Sequence, residues 1–430
     1  MITQITVREY ARLTTEPVKR SLDCAQVTVS AFNWLCELSA SFRKSGATLL
    51  QVEGRCSLKL DNYVGVLETP CGTQLEILPK HTERTDCLEG SRELLQRMIQ
   101  TALKLPTREV GAADLKLFDA PLSEWVMRQF LEALDYLAKG GMRFDYQRIE
   151  EEQRFLRGQL NFVAQARQPP GRQHHFQIRH DVFLPDRPEN RLLKLALEQV
   201  CKSTQEPGNW RLAHELRSLL LEVPASRDMR KDLQLWRNDR FMAHYQPIKP
   251  WCELILGEQS PLSVSGNWRG ISMLFPMEKL FEQYVEVLLS RQLLGDAQLL
   301  PQRARYSLCT HQKLPMFKLK PDLLLESEKQ TWVMDAKWKL LDTSDRSSKC
   351  GLSQADFYQM FAYGQTYLKG TGQMVLIYPK TERFPVALTD PFIFSEQLKL
   401  WVLPFDLEQG KLLGGELADL PLAGRIAGAV

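Results

Sequence analysis

Residues 318–339, KLKPDLLLESEKQTWVMDAKWK, limit what this chain can fold into more than any other stretch. Leu323, Leu324 and Leu325 form one apolar run, and Trp332, Val333 and Met334 form a second. The polar segment 326–330 between them reads as a turn. This pattern predicts two β-strands joined as a hairpin. Alternation along the second strand puts Asp335 and Lys337 on one face. The hairpin folds Asp322, which follows Pro321, back onto that face. Two carboxylates and an ammonium are then expected to converge at a sheet edge. Asp335 follows an apolar run directly and should be partly buried, where a carboxylate needs a cation beside it.

Carboxylates are hard oxygen ligands suited to Mg²⁺. A bound Mg²⁺ polarises a phosphate and lowers the pKa of its water. Lys337 could orient or deprotonate that water, or offset charge developing on the phosphate. The set points to metal-assisted phosphodiester cleavage. The competing reading of the same spacing is a solvated hairpin with charged ends.

Composition allows this chemistry without demanding it. The chain has 430 residues and a formal net charge of +3. Near-neutrality does not exclude a basic nucleic-acid cleft. Around the hairpin, residues 301–349 carry ten Lys/Arg against six Asp/Glu. The nine cysteines form no CxxC pair and read as reduced thiols of a cytoplasmic protein. The start, MITQITVREYARL, has no apolar signal region, and no window is apolar enough for a membrane span. No GxxxxGK[ST] loop is present, so P-loop nucleotide hydrolysis is not expected.

Three regions are expected. Residues 1–88 read as a small β-rich module for partner or DNA contact, with one helix over 30–44 and a hairpin at Pro70, Cys71 and Gly72. Residues 89–248 read as mainly helical and suited to partner docking. Ser91 is the expected cap of the first of these helices, and the helix over 122–139 should stop at Gly140 and Gly141. His174 and His175 lack a third ligand at a fitting spacing, and His244 reads as structural. Residues 249–430 alternate helix and strand, which argues for an α/β domain. There Leu280, Phe281, Tyr284, Val285 and Leu288 form the stripe of an amphipathic helix that also carries Glu282, a further candidate carboxylate for the metal. Residues 297–308 read as strand-like. Gln359 and Tyr363 lie four apart on the helix after the hairpin and share a face. The glutamine could hold a phosphate or the attacking water, while Tyr363 packs with its hydroxyl on a polar neighbour.

The order helix (Glu282), strand, strand (Asp322), strand (Asp335, Lys337), helix (Gln359, Tyr363), strand resembles the restriction-endonuclease-like core of the PD-(D/E)xK nuclease superfamily. The QxxxY pair resembles that superfamily's RecB-like branch. More narrowly, KPDLLLE, WVMDAKWK, VGVLETPCGTQLEILPK, FLRGQLNF, PENRLLKLAL, DRFMAHY and MEKLFEQYV resemble stretches of McrC, the nuclease subunit of McrBC modified-cytosine restriction systems. That resemblance implies an Mg²⁺-dependent DNA endonuclease that cuts DNA carrying modified cytosine. It implies as partner a McrB-type AAA+ GTPase, which binds the GTP and whose hydrolysis this chain stimulates. It assigns Asp322 and Asp335 to metal and catalysis, and Lys337 and Gln359 to catalysis. Glu282 matches only a variable position of the superfamily. Arg157, beside Gly158, could reach a neighbour's nucleotide or be structural. Two other readings stay open: a regulatory activator of a GTPase motor with an inactive nuclease core, and a stand-alone RecB-like repair nuclease.

Overall fold

The computed structural model describes residues 3–44, 48–81, 87–106, 121–169, 171–172, 174–257, 272–345 and 347–423. The chain begins with β1 (Thr3–Arg8), β2 (Arg12–Thr14) and β3 (Cys24–Gln26), then α1 (Val29–Lys44). Strands β4 (Leu50–Val52), β5 (Ser57–Leu60), β6 (Tyr63–Glu68) and β7 (Thr73–Leu78) follow. The expected β-rich character and the turn at Cys71 are present: β6 and β7 pair antiparallel across it. The short strands β2 and β3, whose apolar runs are too brief to read, build a four-stranded sheet in the order β3-β2-β5-β4.

Helix α2 (Leu88–Ala102) starts earlier than the sequence suggests. Cys87 is its cap, accepting from the Gly90 N–H, and Ser91 is buried inside the helix. Burial of Leu94, Leu95, Met98 and Ile99 sets its position, and local capping chemistry yields to that packing.

Next come α3 (Leu122–Gly140), β8 (Asp145–Gln153), β9 (Gln159–Leu160), α4 (Phe162–Ala166) and β10 (Phe176–Leu184). Helices α5 (Pro188–Ser203), α6 (Pro207–Leu219), α7 (Met229–Leu235) and α8 (Lys249–Ile255) complete this part. Residues 123–257 form one compact unit. Besides its helices it holds a three-stranded antiparallel sheet, order β8-β10-β9, which the polar residues of β8 conceal from hydropathy. Inside the unit, the carboxylate of Glu124 accepts from the Thr204 hydroxyl, Gln205 N and Asn209 Nδ2. His175 Nδ1 lies 2.7 Å from Glu152. Burial, then Arg143, lowers the pKa of His244.

The C-terminal part runs through β11 (Met273–Pro276), α9 (Met277–Ser290), β12 (Gln298–Pro301), β13 (Tyr306–His311), β14 (Leu314–Leu319), β15 (Leu323–Glu326) and β16 (Thr331–Ala336). Then come α10 (Gln354–Tyr367), β17 (Gly372–Pro379), β18 (Phe392–Ser395), β19 (Leu398–Asp406) and β20 (Lys411–Leu412). The strand-like stretch 297–308 is thus two strands, β12 and the start of β13. The mixed main sheet has the order β12-β15-β16-β17-β19-β18, with β20 on β19. β15 and β16 are antiparallel, whereas β16, β17 and β19 are parallel. Leu324, Val333, Met374, Leu376, Leu400 and Val402 bury between this sheet and Met360 and Tyr363 of α10. Gly364 lets that helix approach: a Cβ there would stand 2.7 Å from Met374 Sδ.

Residues 1–122 and 272–430 belong to one compact unit, so the contacts divide the chain elsewhere than at 88 and 248. Within it, β11 pairs with β6 and completes the sheet β1-β7-β6-β11. Gly65 permits this crossing, since at φ +129° a Cβ would meet Met273 O at 1.9 Å. Helix α2 packs on α9. Glu76 of β7, wholly buried, ties the sheet to α2 by accepting from Arg92 and from Thr6.

Candidate active site

Asp322 and Asp335 reach the same place from β15 and β16, as the hairpin predicts. Both strands lie inside the main sheet, with β12 on one side and β17 on the other. The groups therefore meet at the ends of central strands and not on an edge strand. That interior position explains the burial: Asp335 is 0% exposed. Asp322 lies just before β15, and its Oδ2 accepts a hydrogen bond from Ala336 N at 2.9 Å. Lys337 extends the strand by donating its N–H to Ile377 O at 2.9 Å. Its Nζ stands 2.6 Å from Asp335 Oδ2 as an ion pair.

The electrostatics are those of crowded, desolvated acids. Burial raises the pKa of Asp322, and the charges of Asp335 and Glu282 add to it. Burial also raises Asp335, opposed chiefly by the Lys337 charge. For Lys337 burial acts to lower the pKa, but the nearby Asp335, then Asp322, outweigh it and hold the ammonium above its usual range.

Glu282 enters from α9. Its carboxylate accepts from Gln302 Nε2, and Gln302 Oε1 in turn accepts from Lys320 Nζ at 2.6 Å. Gln302 N donates to Asp322 O at 2.9 Å, fixing the end of β12 to the first aspartate. Burial, then the Asp335 charge, raise the Glu282 pKa against the Gln302 hydrogen bond.

Gln359 arrives indirectly. Its Nε2 donates to the Tyr363 hydroxyl at 2.8 Å, and that hydroxyl donates to Lys320 O at 2.9 Å. Tyr363 does pack with its hydroxyl on a polar neighbour, and through it Gln359 is tied to the backbone of Lys320, two residues before Asp322.

Four participants escaped the sequence reading. Lys320 stood beside the Pro-Asp pair and could have been noticed. Gln302 lies at a bend with φ +47° and leaves no pattern. Asp356, in the first turn of α10, raises the pKa of both Asp335 and Lys337. Glu9 is wholly buried and accepts from Lys80 N and from Trp338 Nε1, each at 2.7 Å. It thereby anchors the residue after Lys337.

The donor set suits a hard cation. Both Asp335 oxygens are buried, Oδ2 against the Lys337 ammonium at 2.6 Å, and Asp322 shares the same field. Mg²⁺ takes only one or two protein carboxylates and fills its remaining positions with water and phosphate oxygens. Among the described residues no group of three or more His, Cys, Asp or Glu is placed to hold a metal, which argues against an all-protein cage.

A family model described as "McrBC 5-methylcytosine restriction system component" matches residues 58–379. The chain belongs to that McrBC family. The matched span takes in Glu282, Asp322, Asp335, Lys337 and Gln359. This McrBC-family chain also shares its fold with solved structures. One is a chain from a refined half-complex of a tetradecameric assembly of Thermococcus gammatolerans McrB AAA+ hexamers with bound McrC. It is 20% identical, with a TM-score of 0.70 over 94% of this chain and 95% of that one. Another is a chain from the cryo-EM structure of the Thermococcus gammatolerans McrBC complex. It is 21% identical, with a TM-score of 0.52 over 67% of this chain and 87% of that one. No curated protein matches the sequence. Among the described residues of this McrBC-family chain, no helix is long and apolar enough to cross a membrane.

Proposed function

We propose that this chain is a McrC-type, Mg²⁺-dependent DNA endonuclease subunit that works with a McrB-type AAA+ GTPase on DNA carrying modified cytosine. The observation that carries the reading is the convergence of Asp322, wholly buried Asp335 and Lys337 at the ends of two central strands. The order α9, β12, β15, β16, α10, β17 supports a PD-(D/E)xK core, with β13 and β14 as an insertion before the first aspartate. Family membership and the likeness to chains of McrB–McrC assemblies support the partner.

Asp322 and Asp335 would hold the metal, with Glu282 at its margin through Gln302. Mg²⁺ held there would polarise the scissile phosphate and lower the pKa of a bound water. Lys337 is placed to orient that water or to balance charge on the phosphate, since its ammonium lies at the same carboxylate. Gln359 acts as a positioning residue: it holds Tyr363, which holds the backbone at Lys320. Burial of Asp335 limits how far water screens the pair.

The rival reading is a regulatory activator with an inactive core. The Lys337 ion pair, which balances the Asp335 charge without a metal, favours it. Plasmid cleavage decides between them. Methylated and unmethylated plasmid are incubated with the chain, with and without the candidate GTPase, GTP and Mg²⁺. The nuclease reading expects cutting of methylated plasmid only when all components are present. GTPase stimulation without cutting under any condition would establish the rival.

A further inference from the structure

The strands β13 and β14 form a separate two-stranded antiparallel ribbon, closed by a two-residue turn at Gln312 and Lys313 with φ +49° and +65°. Neither strand holds a buried residue, so no core accounts for the ribbon. Its composition is one-sided. Residues 301–321 contain five Lys/Arg (Arg303, Arg305, Lys313, Lys318, Lys320) and no Asp or Glu, in a chain whose net charge is only +3. Phe317, 70% exposed, is held at φ +56°, a conformation bulky residues rarely adopt.

The root of the ribbon is bolted to the site. The Tyr367 hydroxyl donates to Leu319 O and lies 2.7 Å from Arg303 O, and it accepts from Arg305 N at 3.1 Å. One turn earlier on the same helix, Tyr363 donates to Lys320 O. Both strands of the ribbon are thus fixed by the helix that flanks the aspartates, and the ribbon leads into Asp322 after only Lys320 and Pro321.

We propose that this ribbon grips duplex DNA beside the carboxylate site, with Arg303, Lys313 and Lys318 on phosphates and Phe317 against the groove. The proposal rests on the nuclease reading and deepens it. Six residues of extended chain span about 20 Å, and a two-stranded ribbon of this kind fits the major groove. A segment with five Lys/Arg and no Asp or Glu matches a polyanion better than a mixed-charge protein face. Arg305 is engaged by Glu326 and is left to the scaffold.

The test compares the full chain with the triple variant Arg303→Gln/Lys313→Gln/Lys318→Gln. All three residues are exposed, and matching thermal melts establish that the variant is folded. The affinity of a labelled duplex is measured by fluorescence anisotropy against salt, without Mg²⁺, and GTPase stimulation of the partner is measured alongside. The proposal expects weaker binding and a log–log salt slope flatter by about 0.9 per contact removed, so about 2.7 in total, with GTPase stimulation unchanged. Unchanged affinity and slope, or no duplex binding by the full chain even at low salt, overturns it. So does loss of GTPase stimulation with DNA affinity intact, which would make the ribbon a protein-docking element. The nuclease reading fails separately: a wild type that binds through the ribbon but never cuts leaves the ribbon standing. A variant that binds and cuts like wild type removes only the ribbon.

Discussion

At the scale of single residues, the buried acids matter most, because each is costly to fold around. Asp335 was legible as a buried carboxylate because it ends an apolar strand. Glu9 was not, since nothing near MITQITVREYARL announces that its carboxylate meets Trp338, more than three hundred residues away. Burial pushes the Glu9 pKa up to about 7 from 4.5, and its Oε2 has no hydrogen-bond partner among the described residues. The native state therefore keeps its proton to higher pH than the unfolded chain does. Stability contributed by this group is full below pH 4.5 and falls as pH rises through about 7. Glu9→Gln keeps the acceptor for Lys80 N and Trp338 while removing the charge. Denaturant melts should show the variant gaining on wild type by on the order of 3 kcal/mol between pH 4.5 and pH 8, and no further above that. A difference independent of pH would mean that Glu9 is ionised without cost.

Among elements, the sequence showed those whose side chains bury on one face. The β6–β7 hairpin, α3, α9 and the β15–β16 hairpin were readable by period alone. On α9, Leu280, Phe281, Tyr284 and Val285 bury as the stripe requires, and Leu288 lies half-buried at its margin. Only the start of β13 was read as strand, and β14 went unread, because both faces of the ribbon are exposed and hydropathy carries no period to follow. β8 likewise has no apolar period, with Glu150, Glu151 and Glu152 in a strand. Long-range polar ties were equally invisible. Glu76 and Arg92 form a buried pair joining β7 to α2 at 2.7 Å. Glu76→Ala would remove the buried carboxylate that Arg92, Thr6 and Leu122 N share. The expected cost is about 3–5 kcal/mol, read as a lower denaturation midpoint with an unchanged slope. A loss under about 1 kcal/mol would show the pair to be screened by solvent as surface pairs are.

For the molecule as a whole, the sequence suggested three consecutive regions, and the contacts give two units. Strand β11 pairs Met273 with Val66, closing a sheet begun in the N-terminal part, and α2 packs on α9. A pairing across some two hundred residues leaves no local signal. The hairpin of Asp322 and Asp335 lies in that same closed unit, so its support comes from both ends of the chain. These carboxylates, with Lys337, are proposed to cut DNA. The most direct measurement is single-turnover cleavage of methylated plasmid by Asp335→Ala against wild type, each assembled with the GTPase partner, GTP and Mg²⁺. Cleavage should fall by at least about a thousandfold, about 4 kcal/mol of transition-state stabilisation, while the variant still stimulates GTP hydrolysis. A folded Asp335→Ala that cuts at the wild-type rate would contradict that proposal.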